Sequence, residues 1–349
     1  MSSPPATRRS PRAAAASQTG VVTLQQVAER AGVSPSTVSR ILNGTAVVSP
    51  DKQKAVADAI AELGFVPNPV ARGLAGGRTL SVGVVTQAID SPFYGGALRG
   101  IEDTLQPAGY MPLFASGQWD ALAEKQCVDV LRSRRVDGLI VLTGRMSDSA
   151  LEAVAAGLPV VITGRRLVAP GLFSLDFDDE AGARMAAEHL LQLGHRRIAF
   201  IRGDPLHPDA QARERGFRAA LSAAGVPVDE ALVLDGNYLE ESGLHSVERL
   251  LETGPGFTAI FASNDQMGVG AALALYRRGL RIPQDVSLIG FDDLPSSAYS
   301  VPPLTSVRQP IYELGKLAAA AMLELLAGRS PDVALPPPLL VVRESTAAA

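Results

Sequence analysis

The chain has 349 residues, 46 % of them hydrophobic and 19 % charged, with a formal net charge of −4. That is long enough for two or three domains with ample cores, and no run approaches the ~18 apolar residues of a membrane span, so no membrane partner is expected. A single cysteine, Cys127, excludes an internal disulfide and any cysteine-rich metal site, which fits a reducing cytoplasm, and four scattered histidines (His189, His195, His207, His245) show no metal-ligand spacing.

Charge is distributed unevenly. Through Leu80 there are nine Lys/Arg against four Asp/Glu, a balance of +5, which leaves 23 basic and 32 acidic residues, or −9, for the rest. A small basic head on an acidic body points to a polyanion as the head's partner. Residues 1–20 are mostly Ser, Pro, Ala and Arg with no acid, and Arg8-Arg9 ahead of Ala13–Ala16 imitates a targeting peptide. Four alanines are not the apolar stretch that export needs, so a disordered arm is expected there.

Residues 21–66 carry local signals that agree with one another. In "VVTLQQVAERAGVSPSTVSRILNG", Thr23 and Gln26 have the form of a capping box that starts a helix at Leu24, with Leu24, Val27, Ala28 and Ala31 facing inward. Gly32 ends that helix, Val33 plugs the turn, and Ser34 caps a second helix with Pro35 at its first position, where a missing N–H costs nothing. Val38, Ile41 and Leu42 face inward on the second helix. A third runs from Ser49-Pro50 to about Leu63, with Val56, Ala59, Ile60 and Leu63 inward and Gly64 closing it. Two short helices joined by a glycine turn and braced by a third make a helix-turn-helix. Its second helix offers Pro35, Ser36, Ser39 and Arg40 to a major groove, with Arg40 suited to a bidentate guanine contact. Thr23, Ser34, Thr37 and Ser39 suit phosphate oxygens, which position without specifying. A generic three-helix bundle with a merely solvated Arg40 is the plain alternative.

The stretch "VTLQQVAERAGVSPSTVSRILNG", followed by "GFVPNPVARGLAGGRTLSVGVV", resembles the amino-terminal region of the LacI/GalR (lactose-repressor) family of bacterial transcription regulators, and the likeness runs from Val22 to Thr346. It bears first on residues 67–79. There "NPVARGLAGG" (68–77) is helix-like but interrupted, opened by Pro69, broken by Gly73 and closed by Gly76-Gly77, and too short to be stable alone. The resemblance implies a hinge helix that forms when two subunits sit on an operator. Leu74 would pry apart the central base step in the minor groove, Asn68 would open the segment, and Ala71 would let the paired helices approach. An apolar wedge of this kind unstacks a step and kinks the duplex, and coupling its folding to the right DNA makes a weak helix useful. An ordinary flexible linker is the alternative, which the apolar Leu74 in so short a segment opposes.

From residue 80 to 346 the pattern changes to short apolar runs alternating with amphipathic segments. The runs are "LSVGVV", "MPLFAS", "GLIVL", "PVVIT", "IAFIRG", "AIFAS" and "VSLIGF", and helix candidates fall near 95–108, 121–134, 179–193, 210–224, 240–252 and 265–278. Such alternation predicts parallel sheets with helices on both faces. Two units are expected, starting at Leu80 and Ile198, with crossings near 178–198 and 292–310 and a return to the first near Ser306. The fold class is therefore an all-α helix-turn-helix head plus an α/β two-lobed body, which resembles the periplasmic-binding-protein-like effector domain that the family shares.

Ligands bind beyond the carboxyl ends of such strands. Those ends are Thr86-Gln87, Thr163-Gly164, Phe177-Asp178, Gly203-Asp204, Asn264-Asp265 and Asp292-Asp293, a set of hydrogen-bonding groups with aromatics nearby that suits a hydroxylated small molecule. The resemblance sharpens this to Arg213 in "QARERGF", Asn264 in "FASNDQMGVGA" with Asp265 capping the next helix, and Asp292 in "LIGFDDLPSSAY". Phe93 and Tyr94 in "SPFYGG" fall at the cleft mouth, and Phe177 and Tyr238 match pocket aromatics. Trp119 either stacks on a sugar or packs on the lobe surface. Asp178 and Asp179 stand where the family usually has an Asp-Asn pair, and Asp179 reads equally as a helix cap. In "GHRRIAF", His195 and Arg196 end a helix where cations suit the dipole.

No Ser-His-Asp ordering, phosphate loop or metal cluster appears, so neither an enzyme nor a cofactor is expected. The expectation is a sequence-specific repressor on double-stranded operator DNA, a homodimer because "LLVVRESTAAA" lacks a leucine-heptad tail, controlled by a small molecule, a sugar by resemblance with a purine or nucleoside as the second choice. The rival from another class is a periplasmic sugar-binding protein without specific DNA function, which the helix-turn-helix and the lack of a signal peptide oppose.

Overall fold

Local caps decide where the helices of the amino-terminal unit begin and end. The computed structural model describes residues 22–42, 48–66, 78–254 and 256–349, so the expectations for the arm and for Asn68, Ala71 and Leu74 lie outside the described residues. The chain divides into one unit up to Thr79 and one from Leu80 onward. In the first, α1 (Leu24–Ala31), α2 (Pro35–Leu42) and α3 (Pro50–Leu63) follow the expected boundaries. Thr23 and Gln26 form the reciprocal capping box, and Gly32, at φ +66°, makes the left-handed turn after α1. Ser34 Oγ accepts from the Thr37 amide at 3.2 Å. The helices close over Val27, Ala28, Val38, Val56, Ala59 and Phe65.

The second unit has two lobes. The first comprises β1 (Ser81–Thr86), α4 (Pro92–Leu105), β2 (Met111–Ser116), α5 (Ala121–Ser133), β3 (Gly138–Val141), α6 (Asp148–Ala155), β4 (Val160–Thr163) and β5 (Leu172–Leu175), a parallel sheet ordered β2-β1-β3-β4-β5. The second comprises α7 (Asp179–Gln192), β6 (Ile198–Ile201), α8 (Pro208–Ala223), β7 (Val233–Leu234), α9 (Glu240–Thr253), β8 (Ala259–Ala262), α10 (Asp265–Arg277), β9 (Ser287–Asp292) and β10 (Thr305–Arg308). The chain then returns to the first lobe as α11 (Ile311–Leu326) and comes back as β11 (Leu339–Val341), completing the order β11-β10-β9-β8-β6-β7 with only β11 antiparallel. Strands β3, β4, β6 and β8 are buried at every residue, as parallel strands covered on both faces must be. No helix among the described residues is long and apolar enough to cross a membrane.

Two boundaries correct the sequence expectation. Helix α7 packs on α8, so the second lobe begins there and not at Ile198. Ser306 lies in β10, paired with β9 in the second sheet, and the return to the first lobe comes at α11, which packs on α4 and under β3, β4 and β5. A third passage, between α11 and β11, was not expected at all. Strands β7 and β11, of two and three residues, carry no readable period. Helix α11, although its buried residues Ile311, Leu314, Ala318, Met322 and Leu326 recur at helical spacing, gives no local sign of which lobe it joins.

Helices α4 and α11 approach closely enough to require glycine. A Cβ on Gly315 would stand 2.0 Å from the Ala97 carbonyl oxygen, and one on Gly100 would stand 2.2 Å from that of Tyr312. The Gly315→Ala variant is expected to lose about 1–3 kcal/mol through overpacking, read as a lower melting temperature in a thermal unfolding scan. Gly157→Ala, where a Cβ meets nothing within 4 Å, should melt with the wild type.

Candidate functional site

The strands of both lobes end at a cleft that opens to solvent. All seven residues expected at an effector site line it: Phe93, Tyr94, Phe177, Arg213, Tyr238, Asn264 and Asp292. Trp119 lines it too, as do Asp179, which the sequence left between a site residue and a helix cap, and Asp209 and Gln309, which sequence reasoning missed. For Asp209 a signal existed: it precedes Arg213 by four residues on α8, hence on the same face. Asp179 was obscured by its capping position, but the cap is Asp178, whose Oδ1 accepts from the Ala181 amide at 2.9 Å.

Arg213, 3 % exposed, organises the second lobe's side of the cleft. Its Nε donates to Asp179 Oδ1 at 2.8 Å, Nη1 to the Ser263 carbonyl at 2.5 Å and Nη2 to Gln309 Oε1 at 3.3 Å. The guanidinium lies over the Phe291 ring, 3.9 Å from its centroid. Burial opposes its charge, but Asp179, first among the acids around it, more than restores the charged form. Burial pushes Asp179 up to about 7 against the pull of Arg213, and holds Asp292 well above the usual carboxylate range.

Two expected pocket groups have other duties. Asn264 caps α10, accepting from the Met267 amide at 2.9 Å and donating to the Tyr238 carbonyl at 2.9 Å. Asp265 is therefore not the cap; its carboxylate accepts from the Leu294 amide and the Ser297 and Ser306 hydroxyls. Gln87, fully buried, is spent on backbone, donating to the Thr143 carbonyl and accepting from the Trp119 amide. His195 is not a dipole cation: it is buried among Thr258, Ser287 and the Ala347 carbonyl, and burial lowers its pKa. Arg196 does donate to the Leu191 carbonyl near the end of α7.

Backbone strain gathers at the same cleft. Trp119, Thr143, Tyr238 and Asp292 all line it, and all have positive φ, at +57°, +46°, +70° and +101°. Such conformations cost on the order of 1–3 kcal/mol each and persist where surrounding structure enforces them, typically at binding sites. Here Gln87 fixes Trp119 and Thr143, while Arg308 and Arg343 clamp the neighbouring Asp293 at 2.7 and 2.6 Å.

In the amino-terminal unit, Pro35, Ser36 and Arg40 are exposed on α2, with Thr37 and Ser39 half-buried beside them. The Thr23 and Ser34 hydroxyls, also exposed, are engaged in local caps.

Residues 23–68 match the bacterial regulatory proteins of the lacI family, and residues 187–346 match the periplasmic binding protein-like domain. Over 336 residues the chain is 38 % identical to the HTH-type transcriptional regulator DegA of Bacillus subtilis (strain 168), covering 93 % of this chain and 98 % of that protein. The chain belongs to the LacI family. Among solved LacI-family structures it is similar to the lac repressor dimer bound to operator and the anti-inducer ONPF, with a TM-score of 0.84 and 31 % identity over 94 % of this chain and 100 % of that one. It is also similar to the transcriptional regulator CelR–cellobiose complex, with a TM-score of 0.69 and 36 % identity over 93 % and 99 %. The helical head and two-lobed α/β body expected from the sequence are thus the LacI-family fold.

In this LacI-family chain the two lobes also touch across the mouth of the cleft. Trp119, from the first lobe, stacks on His207 of the second, with centroids 3.9 Å apart and planes at 21°. Arg145 of the first lobe pairs with Asp204 at 2.5 Å and approaches His207 Nε2 at 3.3 Å. Glu124, fully buried, holds Arg145 in place by accepting from the Arg145 and Met146 amides. The sequence left Trp119 between two readings; the structure puts it in the cleft with one face covered by an imidazole.

Burial lowers the His207 pKa from 6.5, so this contact favours the neutral ring. A base whose pKa is depressed in the closed form stabilises that form above its ordinary value, and the contribution fades as pH falls below it. Emission of Trp119, the only tryptophan, should therefore change between pH 7.5 and 5. His207→Gln should flatten that transition; an identical transition in the variant would assign it elsewhere.

Proposed function

We propose that this LacI-family regulator is a repressor that binds a near-palindromic operator as a homodimer and answers to a sugar-class molecule held between its lobes. The observation that carries this reading is one chain holding both an exposed recognition face headed by Arg40 and a strained, polar cleft with aromatic walls. Paired heads reach successive major-groove half-sites. A ligand that prefers one lobe angle changes DNA affinity by its differential binding to the two arrangements. The cellobiose named with CelR supports a sugar as the ligand class. Exposed Val269, Leu273 and Tyr276, spaced along one side of α10, support a homodimer face.

The test is fluorescence anisotropy on DNA from upstream of the protein's own gene against mixed-sequence competitor. Arg40→Ala should cost about 1–3 kcal/mol of specific binding, and Leu74→Ala should weaken specific binding while sparing competitor binding. Wild-type affinity no better than for competitor would leave a basic head with non-specific affinity alone. Size-exclusion chromatography with light scattering should give a dimer, and a stable tetramer would refute that assembly.

A further inference from the structure

We propose that the effector carries a positive charge: an amine-bearing, hydroxylated molecule of the amino-sugar class, its ammonium held by Asp292 and Asp209. This narrows the sugar reading above and rests on it. Asp292 is 3 % exposed and lines the cleft, yet neither of its carboxylate oxygens accepts a hydrogen bond among the described residues. Its nearest cation is Arg213, with Nη1 at 3.6 Å from Oδ1, beyond hydrogen-bond reach. The contrast with the adjacent Asp293, bracketed by Arg308 and Arg343, is complete. Asp209, one turn before Arg213 on α8, has a buried Oδ1 that is likewise without a partner, and so is the Tyr238 hydroxyl. Buried acceptors left open in this way are costly unless a ligand fills them.

Charge then selects the ligand. Among the described lining residues Arg213 is the sole cation, and it faces three carboxylates, Asp179, Asp209 and Asp292. Its nitrogens are committed to Asp179, Ser263 and Gln309, and one face is covered by Phe291. A phosphate or carboxylate on the ligand would meet no uncommitted cation, and would add negative charge beside Asp179 and Asp292, whose ionised forms burial already opposes. Hydroxyls alone would fill the acceptors and bring no positive charge to favour the ionised form of Asp292. An ammonium supplies three donors and the missing charge together. No group of three His, Cys, Asp or Glu side chains among the described residues could hold a metal ion, which favours an organic cation. Phe93, Tyr94 and Leu314 provide apolar wall for a ring's C–H groups.

The experiment titrates the full chain with D-glucosamine, D-galactosamine and D-mannosamine, beside their neutral parent sugars and 6-phosphates, following Trp119 emission and melting temperature. One amino sugar should saturate at about tenfold lower concentration than its parent, and Asp209→Asn should bring the two to parity. A parent or 6-phosphate that binds as tightly as the amino sugar overturns the proposal and leaves the sugar reading standing. If no sugar binds, the sugar reading fails, and collisional quenching of Trp119 decides the charge question. Caesium quenching more than iodide, each relative to acrylamide, with parity in Asp209→Asn, supports a cation site. Iodide quenching as well as caesium in the wild type overturns it. A melt of Asp209→Asn matching the wild type confirms that the variant is folded.

Discussion

The buried pair of Arg213 and Asp179 is the interaction around which the second lobe's binding face is assembled. Withdrawing two charges from water costs several kcal/mol per ion, and only good geometry and further hydrogen bonds offset that cost. Arg213 sits on α8, Asp179 opens α7, Ser263 follows β8, and Gln309 lies between β10 and α11. One guanidinium therefore fixes the relative positions of four separate pieces of chain. Losing either partner of such a pair would leave an uncompensated buried charge, a penalty of about 3–5 kcal/mol.

Around that pair the chain concentrates strain and its remedies. Asp292 and Asp293 both have positive φ at the end of β9. Asp293 is locked by two arginines, one on β10 and one, Arg343, just after β11. The segment after β11 is itself tied down: Ser345 accepts from the Thr305 amide and donates to the Leu288 carbonyl, and His195 reaches the Ala347 carbonyl. The third passage between lobes thus ends by bracing the strand whose last residue enters the cleft. Asp292 is thus held in an unfavourable backbone conformation with its buried Oδ1 lacking a hydrogen bond, a combination that only the surrounding structure can enforce.

The two lobes are joined by covalent passages and by the contact at the cleft mouth. Glycines at the crossing of α4 and α11 let the returning helix sit deep in the first lobe, and Leu335, in the third passage, packs against the cores of both lobes. Trp119 on His207 and Arg145 on Asp204 span the same gap without a covalent link. Contacts of this kind form or break when two lobes change their relative angle.

Much of this was written locally. The capping box at Thr23, the glycine turn at Gly32 and the inward faces of α1 to α3 are short-range signals, set by hydrogen bonds three residues apart and by helical period, so the head was legible from its residues. The body's short apolar runs, alternating with amphipathic helices, were legible for the same reason. Motif resemblance pointed to Arg213, Asn264 and Asp292, which line one cleft, and it could not say that Asn264 is spent as a cap or that Asp265 is a tether. The extent of the second lobe, the place of α11, the partnership of Asp179 with Arg213 and of Trp119 with His207, and the orphaned carboxylate of Asp292 were decided by tertiary structure alone. Each depends on residues far apart in the chain meeting in a packed interior, where burial sets the strength of every charge, and no spacing along the sequence encodes those meetings.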